Sequence, residues 1–194
     1  MDKHNFKPVN FDNPSVWFLL EDGLKNLIGD HLMYRKYYRM FGLKGNENVL
    51  DFGCGGGIGS RTLSKMLDKG GGVTCVDLSK YWIRKAAKRL RKYPNATCIQ
   101  GDIREMDLPA SSYDIITVYH VLHDITPQIR EEVVDSLSRL LKPDGRFFIV
   151  EPVKESHGMP AGEIRTLLTN AGLRENTFKE TKSAYSAEYL KNHR

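Results

Sequence analysis

Three cysteines in 194 residues are too few, and odd in number, for a disulfide framework. Cys54, Cys75 and Cys98 stand 21 and 23 residues apart, which matches no common zinc-ligand spacing. No metal site is therefore expected, and the thiols read as small core residues in a reducing compartment. No apolar run approaches the roughly 20 residues that span a bilayer, and Met1-Asp2-Lys3-His4-Asn5 has no apolar core of the kind a secretory signal carries. A cytoplasmic chain is the expectation. Internal repeats, long linkers and low-complexity tracts are missing too, so residues 1–194 read as a single domain, large enough to bury most of its apolar surface.

What is present begins with Val49-Leu50-Asp51-Phe52-Gly53-Cys54-Gly55-Gly56-Gly57-Ile58-Gly59. An apolar strand runs into glycines at alternate positions and then into a helical pattern. Such a turn lets backbone approach a ligand closely, and the helix N-terminus behind it offers free N–H groups. A nucleotide-like ligand fits that arrangement. The dinucleotide fingerprint G-x-G-x-x-G fails, because the required third glycine would fall on Ile58 or on Ser60. A phosphate-binding Gly-Lys-Ser/Thr is absent as well. The pattern that does fit is D-x-G-x-G-x-G, from Asp51 to Gly57. With it the chain resembles the class I S-adenosylmethionine (SAM) methyltransferases.

Four further segments stand in that family's order. Gly72–Asp77 is a short strand ending in an acid, where the resemblance assigns Asp77 to the ribose hydroxyls and packs Leu78 on the adenine. Asp77 or Ser79 could equally cap the helix that starts near Lys80. Ala96–Ile103 ends in Gly101-Asp102-Ile103. There the resemblance gives Asp102 the adenine amine and the backbone N–H of Ile103 the adenine ring. Leu108–Val118 looks like the fourth strand with its preceding loop, and Leu141–Pro152 like a helix end, a turn and the fifth strand. In the glycine loop Gly53, Gly55 and Gly57 would shape the methionine pocket. Cys54 would lie against the ligand, and Asp51 would support the loop and meet the ammonium of SAM. At the end of the fourth strand Tyr119 and His120 would border the methionine and methyl.

The periodicity predicts strands at 48–53, 72–77, 96–100, 113–119 and 145–151, and helices near 58–69, 80–93, 127–141 and 160–171. The alternation is that of an α/β, doubly wound sheet, and two extended runs from Leu173 to Leu190 read as a hairpin. Resemblance implies a Rossmann-like sheet of seven strands in the order 3-2-1-4-5-7-6, with strand 7 antiparallel.

The sulfonium methyl of SAM is already activated, so the reaction needs donor sulfur, methyl and acceptor in line. A base is needed only where the acceptor keeps its proton until attack. Tyr119-His120-Val121-Leu122-His123-Asp124 is the place for one. His120 and His123 are the candidate bases, with plain packing against cofactor or pocket as the alternative for His120. The Asn/Asp-Pro-Pro-aromatic motif of amine-methylating nucleic-acid enzymes is missing there, and no Pro-Cys nucleophile appears.

Residues 1–45 hold eight of the nineteen aromatics: Phe6, Phe11, Trp17, Phe18, Tyr34, Tyr37, Tyr38 and Phe41. They read either as a helical cap over the acceptor pocket or as packing against the sheet. The net charge of +5 has its densest source in residues 80–92, where Ile83, Ala87 and Leu90 form an apolar stripe and most of the seven cations face outward. A solvated face is the default, a peripheral contact with anionic membrane the alternative. Nucleic acid is disfavoured because no aromatics interleave the basic face. The runs L-P-x-x-S-Y-D, V-L-H-D and R-x-L-K-P-D-G-R resemble ubiquinone and menaquinone C-methyltransferases. They imply a small aromatic or lipid-like acceptor. An RNA or protein methyltransferase and a non-catalytic SAM-binding partner are the other readings.

Overall fold

A computed structural model describes residues 30–154 and 157–191. Its centre is a parallel sheet whose middle strands are buried on both faces, which is why they read as near-continuous apolar runs. The strands are β1 (Asn48–Phe52), β2 (Gly72–Asp77), β3 (Ala96–Gln100), β4 (Tyr113–Tyr119), β5 (Leu141–Lys154), β6 (His157–Gly158), β7 (Leu173–Glu180) and β8 (Ala184–Lys191). The sheet runs β3-β2-β1-β4-β5-β8-β7, with the two-residue β6 pairing the end of β5 off this path. The first five strands in that row are parallel. Strand β8 is antiparallel to both β5 and β7. This is the expected seven-strand order, with β7 and β8 as its sixth and seventh members.

Successive residues of each strand serve opposite faces. Val49, Val73, Ile115 and Phe148 join one cluster, covered by α1 (Asp30–Arg39), α2 (Ile58–Met66) and α3 (Lys80–Leu90). Leu50, Val76, Ile116 and Phe147 join the other, covered by α4 (Arg130–Leu140) and α5 (Ala161–Asn170). On the first face Phe41 stacks on Phe148 with ring centroids 3.8 Å apart, and the Tyr37 hydroxyl lies 3.2 Å from that of Thr117. Tyr37, Tyr38 and Phe41 thus pack on the sheet and are buried. Phe6, Phe11, Trp17 and Phe18 lie outside the described residues.

Several boundaries and one face differ from expectation. Helix α2 stops at Met66 and α3 at Leu90, and α4 starts at Arg130 because a 3-10 turn at Pro127–Ile129 precedes it. Strand β5 begins at Leu141 instead of 145. The expected turn is a bulge within it: Tyr113 pairs with Leu141 and Ile115 with Arg146, so the ladder resumes after the intervening residues bow out. The buried stripe of α3 is Trp82, Ala86 and Leu90, one residue off Ile83 and Ala87. Ala86 is drawn in by Gly57, whose missing Cβ leaves room for it. Among the described residues no helix is long and apolar enough to cross a membrane.

Candidate active site

The glycine loop leaves β1 at the C-terminal ends of the parallel strands, the end at which open α/β sheets bind ligands. The N–H groups of Gly53 and Cys54 both donate to the Val76 carbonyl, at 2.8 and 3.1 Å, fastening the turn to β2. Gly53, Gly55 and Gly57 all have left-handed backbones, with φ of 68°, 51° and 74°. A side chain at Gly53 would put its Cβ 2.4 Å from Val121 Cγ2, so the turn must stay bare on that side. At Gly55, among the described residues and chain neighbours aside, nothing lies within 4 Å of the same position. That open volume over a bare backbone leaves room for a ligand, as a cradle would. Behind it α2 starts with Gly57 as N-cap and no capping side chain, so its first amides point outward unclaimed by a cap.

Acids surround the cradle. Asp77 Oδ2 accepts from the Gly55 N–H and Oδ1 from the Ser79 N–H, both at 2.9 Å. The helix cap itself is Ser79, whose hydroxyl accepts from Trp82 N–H at 3.3 Å. Of the two capping candidates, Ser79 does that work, while Asp77 ties the loop to the end of β2. Leu78 beside it is 67% exposed, which leaves its apolar side chain available as a platform. Asp51 is buried and accepts from the Ser60 hydroxyl at 2.6 Å. Burial pushes its carboxyl up to about 6, against the Ser60 bond and with help from the Asp77 charge. Cys54 is half-buried in the loop, its thiol 3.6 Å from the Gly55 carbonyl.

Asp102 is not a bare acceptor. Arg104 grips it through Nη2 at 2.6 Å and Nε at 3.1 Å, with the Arg104 N–H adding a bond at 3.0 Å. The side-chain bond to the guanidinium is the main reason its pKa falls below the ordinary carboxylate value. Arg104 also reaches Glu132 at 2.9 Å. The side chain of Ile103 is buried in the core, which anchors the backbone between these acids.

At the end of β4 the Tyr119 ring stacks on His120 at 4.5 Å and contacts Tyr34 and Tyr37, each at 5.2 Å. His120 is exposed and has φ of 57°, a left-handed backbone that costs a non-glycine residue roughly 1–2 kcal/mol. Two bonds hold it there: its own N–H donates to Val150 O at 2.8 Å, and the next N–H, of Val121, donates to Glu151 at 2.8 Å.

Glu151 organises the following turn. This fully buried carboxylate accepts from Val121 and Leu122 N–H at 2.8 Å and meets His123 Nδ1 at 2.6 Å. His123 is buried, unlike His120. Burial by itself would lower its pKa, but the Glu151 bond and charge outweigh that and hold it above the ordinary value. Its Nε2 faces His157 Nε2 at 3.2 Å and Asp124 Oδ2 at 3.5 Å. The two candidate bases are therefore different in kind: their ring centroids are 6.3 Å apart, one exposed and one gripped on both nitrogens. Sequence reasoning assigned nothing to Glu151, Arg104 or His157. For Glu151 a signal existed, an acid closing the apolar run Phe147-Phe148-Ile149-Val150.

A separate cleft of about 380 Å³, lined by Lys44, Glu47, Asp114, Lys142 and Arg146 among others, opens at the opposite ends of the strands beside the β5 bulge. Lys142 pairs with Asp114 there at 2.7 Å, Arg146 turns to Glu188 at 3.6 Å, and the cleft is remote from the glycine loop.

Residues 49–145, half of the chain, match the family model described as a methyltransferase domain. The ubiquinone/menaquinone biosynthesis C-methyltransferase of Proteus mirabilis is 26% identical over 127 residues, 63% of this chain and 50% of that protein. The chain spans about half the length of this and other curated relatives it matches. Among solved structures, a SAM dependent methyltransferase from Aquifex aeolicus aligns with a TM-score of 0.72 at 23% identity, covering 96% of this chain and 99% of that one. A TehB-like SAM-dependent methyltransferase from Corynebacterium glutamicum aligns at 0.76 and 20% identity, covering 90% and 96%. Both share the fold described above.

Proposed function

The chain belongs to the methyltransferase-domain family, and from that membership we propose that it transfers the methyl group of SAM to a small aromatic or lipid-like acceptor by in-line displacement. The observation that carries the reading is the left-handed glycine loop, fastened to Asp77 and open at Gly55. A Cβ-free concavity flanked by Asp77 suits a nucleoside that carries hydroxyls and a cationic amino-acid end.

When bound, SAM supplies an electrophilic methyl on a sulfonium. The rest is positioning. Asp77, already oriented by two backbone amides, accepts from the ribose hydroxyls, and charged acceptors make such bonds strong. Leu78 covers the adenine face, and the Ile103 N–H reaches the adenine ring. Asp102 takes the exocyclic amine beside its Arg104 partner. Asp51 and the loop amides hold the ammonium and carboxylate ends. Tyr119 and His120 wall the methyl, and His120, exposed at the strand end, takes the acceptor's proton where one must leave. Holding sulfur, methyl and acceptor in line can supply up to about 7–11 kcal/mol of the barrier.

The acceptor class rests on the relatives' quinone chemistry and on the tyrosines behind Tyr119. Lys80, Arg84, Lys88, Arg91 and Lys92 are exposed on and just beyond α3, and this face meets anionic membrane when the acceptor is lipid-soluble. Transfer of label from methyl-labelled SAM into fractionated cell extract tests the proposal. Label in the lipid or small-molecule pool supports it. Label in RNA or protein overturns the acceptor class, and binding of SAM without transfer to any pool overturns the enzyme.

A further inference from the structure

Three donor atoms converge where the turn after β4 meets the end of β5. His123 Nε2 stands 3.2 Å from His157 Nε2 and 3.5 Å from Asp124 Oδ2, and the three donors all lie within 4.8 Å of one another. The residues come from two separate stretches of chain: the 3-10 turn Leu122–Asp124, and β6, which folds back antiparallel on β5. We propose that His123, Asp124 and His157 form a binding site for a divalent transition-metal ion of the zinc class, with Glu151 as the outer partner that orients His123.

The distances favour a metal over a chance meeting. Zinc bonds to imidazole nitrogen and carboxylate oxygen are about 2.0–2.2 Å, so the edges of a tetrahedral site are about 3.3–3.6 Å. Two of the three edges already measure 3.2 and 3.5 Å. His157 is exposed and sits on a two-residue strand, so a small rotation of its ring closes the remaining edge.

The outer contact has the form that metal-bound histidines use. The Nδ1–H of such a ring donates to a carboxylate, which fixes the tautomer and turns the Nε2 lone pair toward the metal. His123 has that partner in Glu151 at 2.6 Å, and Glu151 is itself held by the Val121 and Leu122 amides at 2.8 Å. The rotamer of His123 is therefore set before any ion arrives.

Charge points the same way. Two carboxylates, Glu151 fully buried and Asp124 half-buried, face one buried imidazole. The Arg130 guanidinium nearby is engaged by Glu163 at 2.6 Å and by the Ile125 and His123 carbonyls. Two imidazoles with one carboxylate suit zinc and its first-row neighbours over magnesium or calcium, which prefer all-oxygen shells. Three protein ligands leave a fourth position for water or for an oxygen or sulfur group of a small molecule. The competing arrangement is a plain Glu151–His123–His157 hydrogen-bond chain with no ion. The inference needs no assumption about the methyl acceptor.

The test is metal binding by the full chain, untagged and stripped with chelator. Co²⁺ titration followed by visible absorption, and Zn²⁺ competition against a chromophoric chelator, are run on the parent, on His157→Ala and on Asp124→Asn. His157 is exposed and Asp124 half-buried, so both variants are expected to fold, and circular dichroism checks that they do. The parent should bind one equivalent, with the intense bands of tetrahedral cobalt. Each variant should lose more affinity than the roughly 10–100-fold that removal of an outer partner costs. Absence of stoichiometric binding, weak octahedral cobalt bands, or unchanged affinity in both variants overturns the site in favour of the hydrogen-bond chain.

Discussion

The Gly55 N–H donates to Asp77 Oδ2 at 2.9 Å, so the residue that shapes the ligand cradle and the acid that flanks it are one mechanical unit. On the proposed reading the loop amide aims the Asp77 carboxylate at the ribose, and the acid in turn adds to the hold that the Val76 carbonyl has on the loop. Asp77→Ala should therefore weaken SAM binding by about 1–3 kcal/mol, read by calorimetry, and should also raise hydrogen exchange at Gly55. Normal SAM affinity in the variant would mean that the strand β2 acid has been assigned the wrong task.

Gly53 and Gly55 should respond oppositely to alanine. At Gly53 the new Cβ meets Val121 at 2.4 Å, so overpacking adds to the left-handed cost. Stability in urea should fall by on the order of 3 kcal/mol. At Gly55 the position a Cβ would take has no atom of the described residues, chain neighbours aside, within 4 Å. Only the left-handed cost of about 1 kcal/mol remains, while a bound ligand loses its closest approach. Gly55→Ala should fold and bind SAM poorly. A variant that bound as tightly as the parent would remove Gly55 from the cradle.

His120 carries its backbone strain at φ of 57°, and that separates side-chain loss from backbone relief. His120→Ala and His120→Gly both lose the ring stacked on Tyr119, but only glycine relaxes the turn. The glycine variant should be the more stable by about 1 kcal/mol in thermal or urea melts. If the imidazole is the base, both should lose transfer by roughly 10²–10⁴-fold with SAM affinity nearly intact. Parallel losses in transfer and SAM affinity would return His120 to the pocket wall.

Much of the fold could be read in the chain because parallel strands buried on both faces, such as Val49–Phe52 and Ile115–Val118, need no alternation and announce themselves as apolar runs. The register of α3 could not be read so well. Ile83, Ala87 and Leu90 repeat about as helically as Trp82, Ala86 and Leu90. The choice is made by Gly57 on another element, and by Arg89, which turns inward to donate to the Gly56 carbonyl. The partnership of Glu151 with His123 spans 28 residues and joins the ends of two strands. No local spacing marks it, since it exists only once β4 and β5 lie side by side. Arg104 lies two residues from Asp102, close enough to have been seen, but a Gly-Asp pair draws the eye to the acid alone.

Asp51 should make both stability and donor binding depend on pH, in opposite directions. Its carboxyl titrates near 6 in the folded chain because burial disfavours the charge, the Ser60 bond only partly compensating and the Asp77 charge adding to the shift. The unfolded value is 3.8. Between the two the folded state binds the more protons, so stability falls as pH rises from about 4 to 6 and then levels, having lost about 3 kcal/mol. A ligand ammonium beside the carboxylate favours the ionised form, so SAM affinity should climb over the same interval and flatten above about pH 7. Asp51→Asn keeps an oxygen for Ser60 but cannot ionise. Urea melts and SAM titrations across this range should show both slopes reduced together in the variant. A parent whose SAM affinity ignores pH here would place the ammonium away from Asp51, while the stability slope alone would still report its burial.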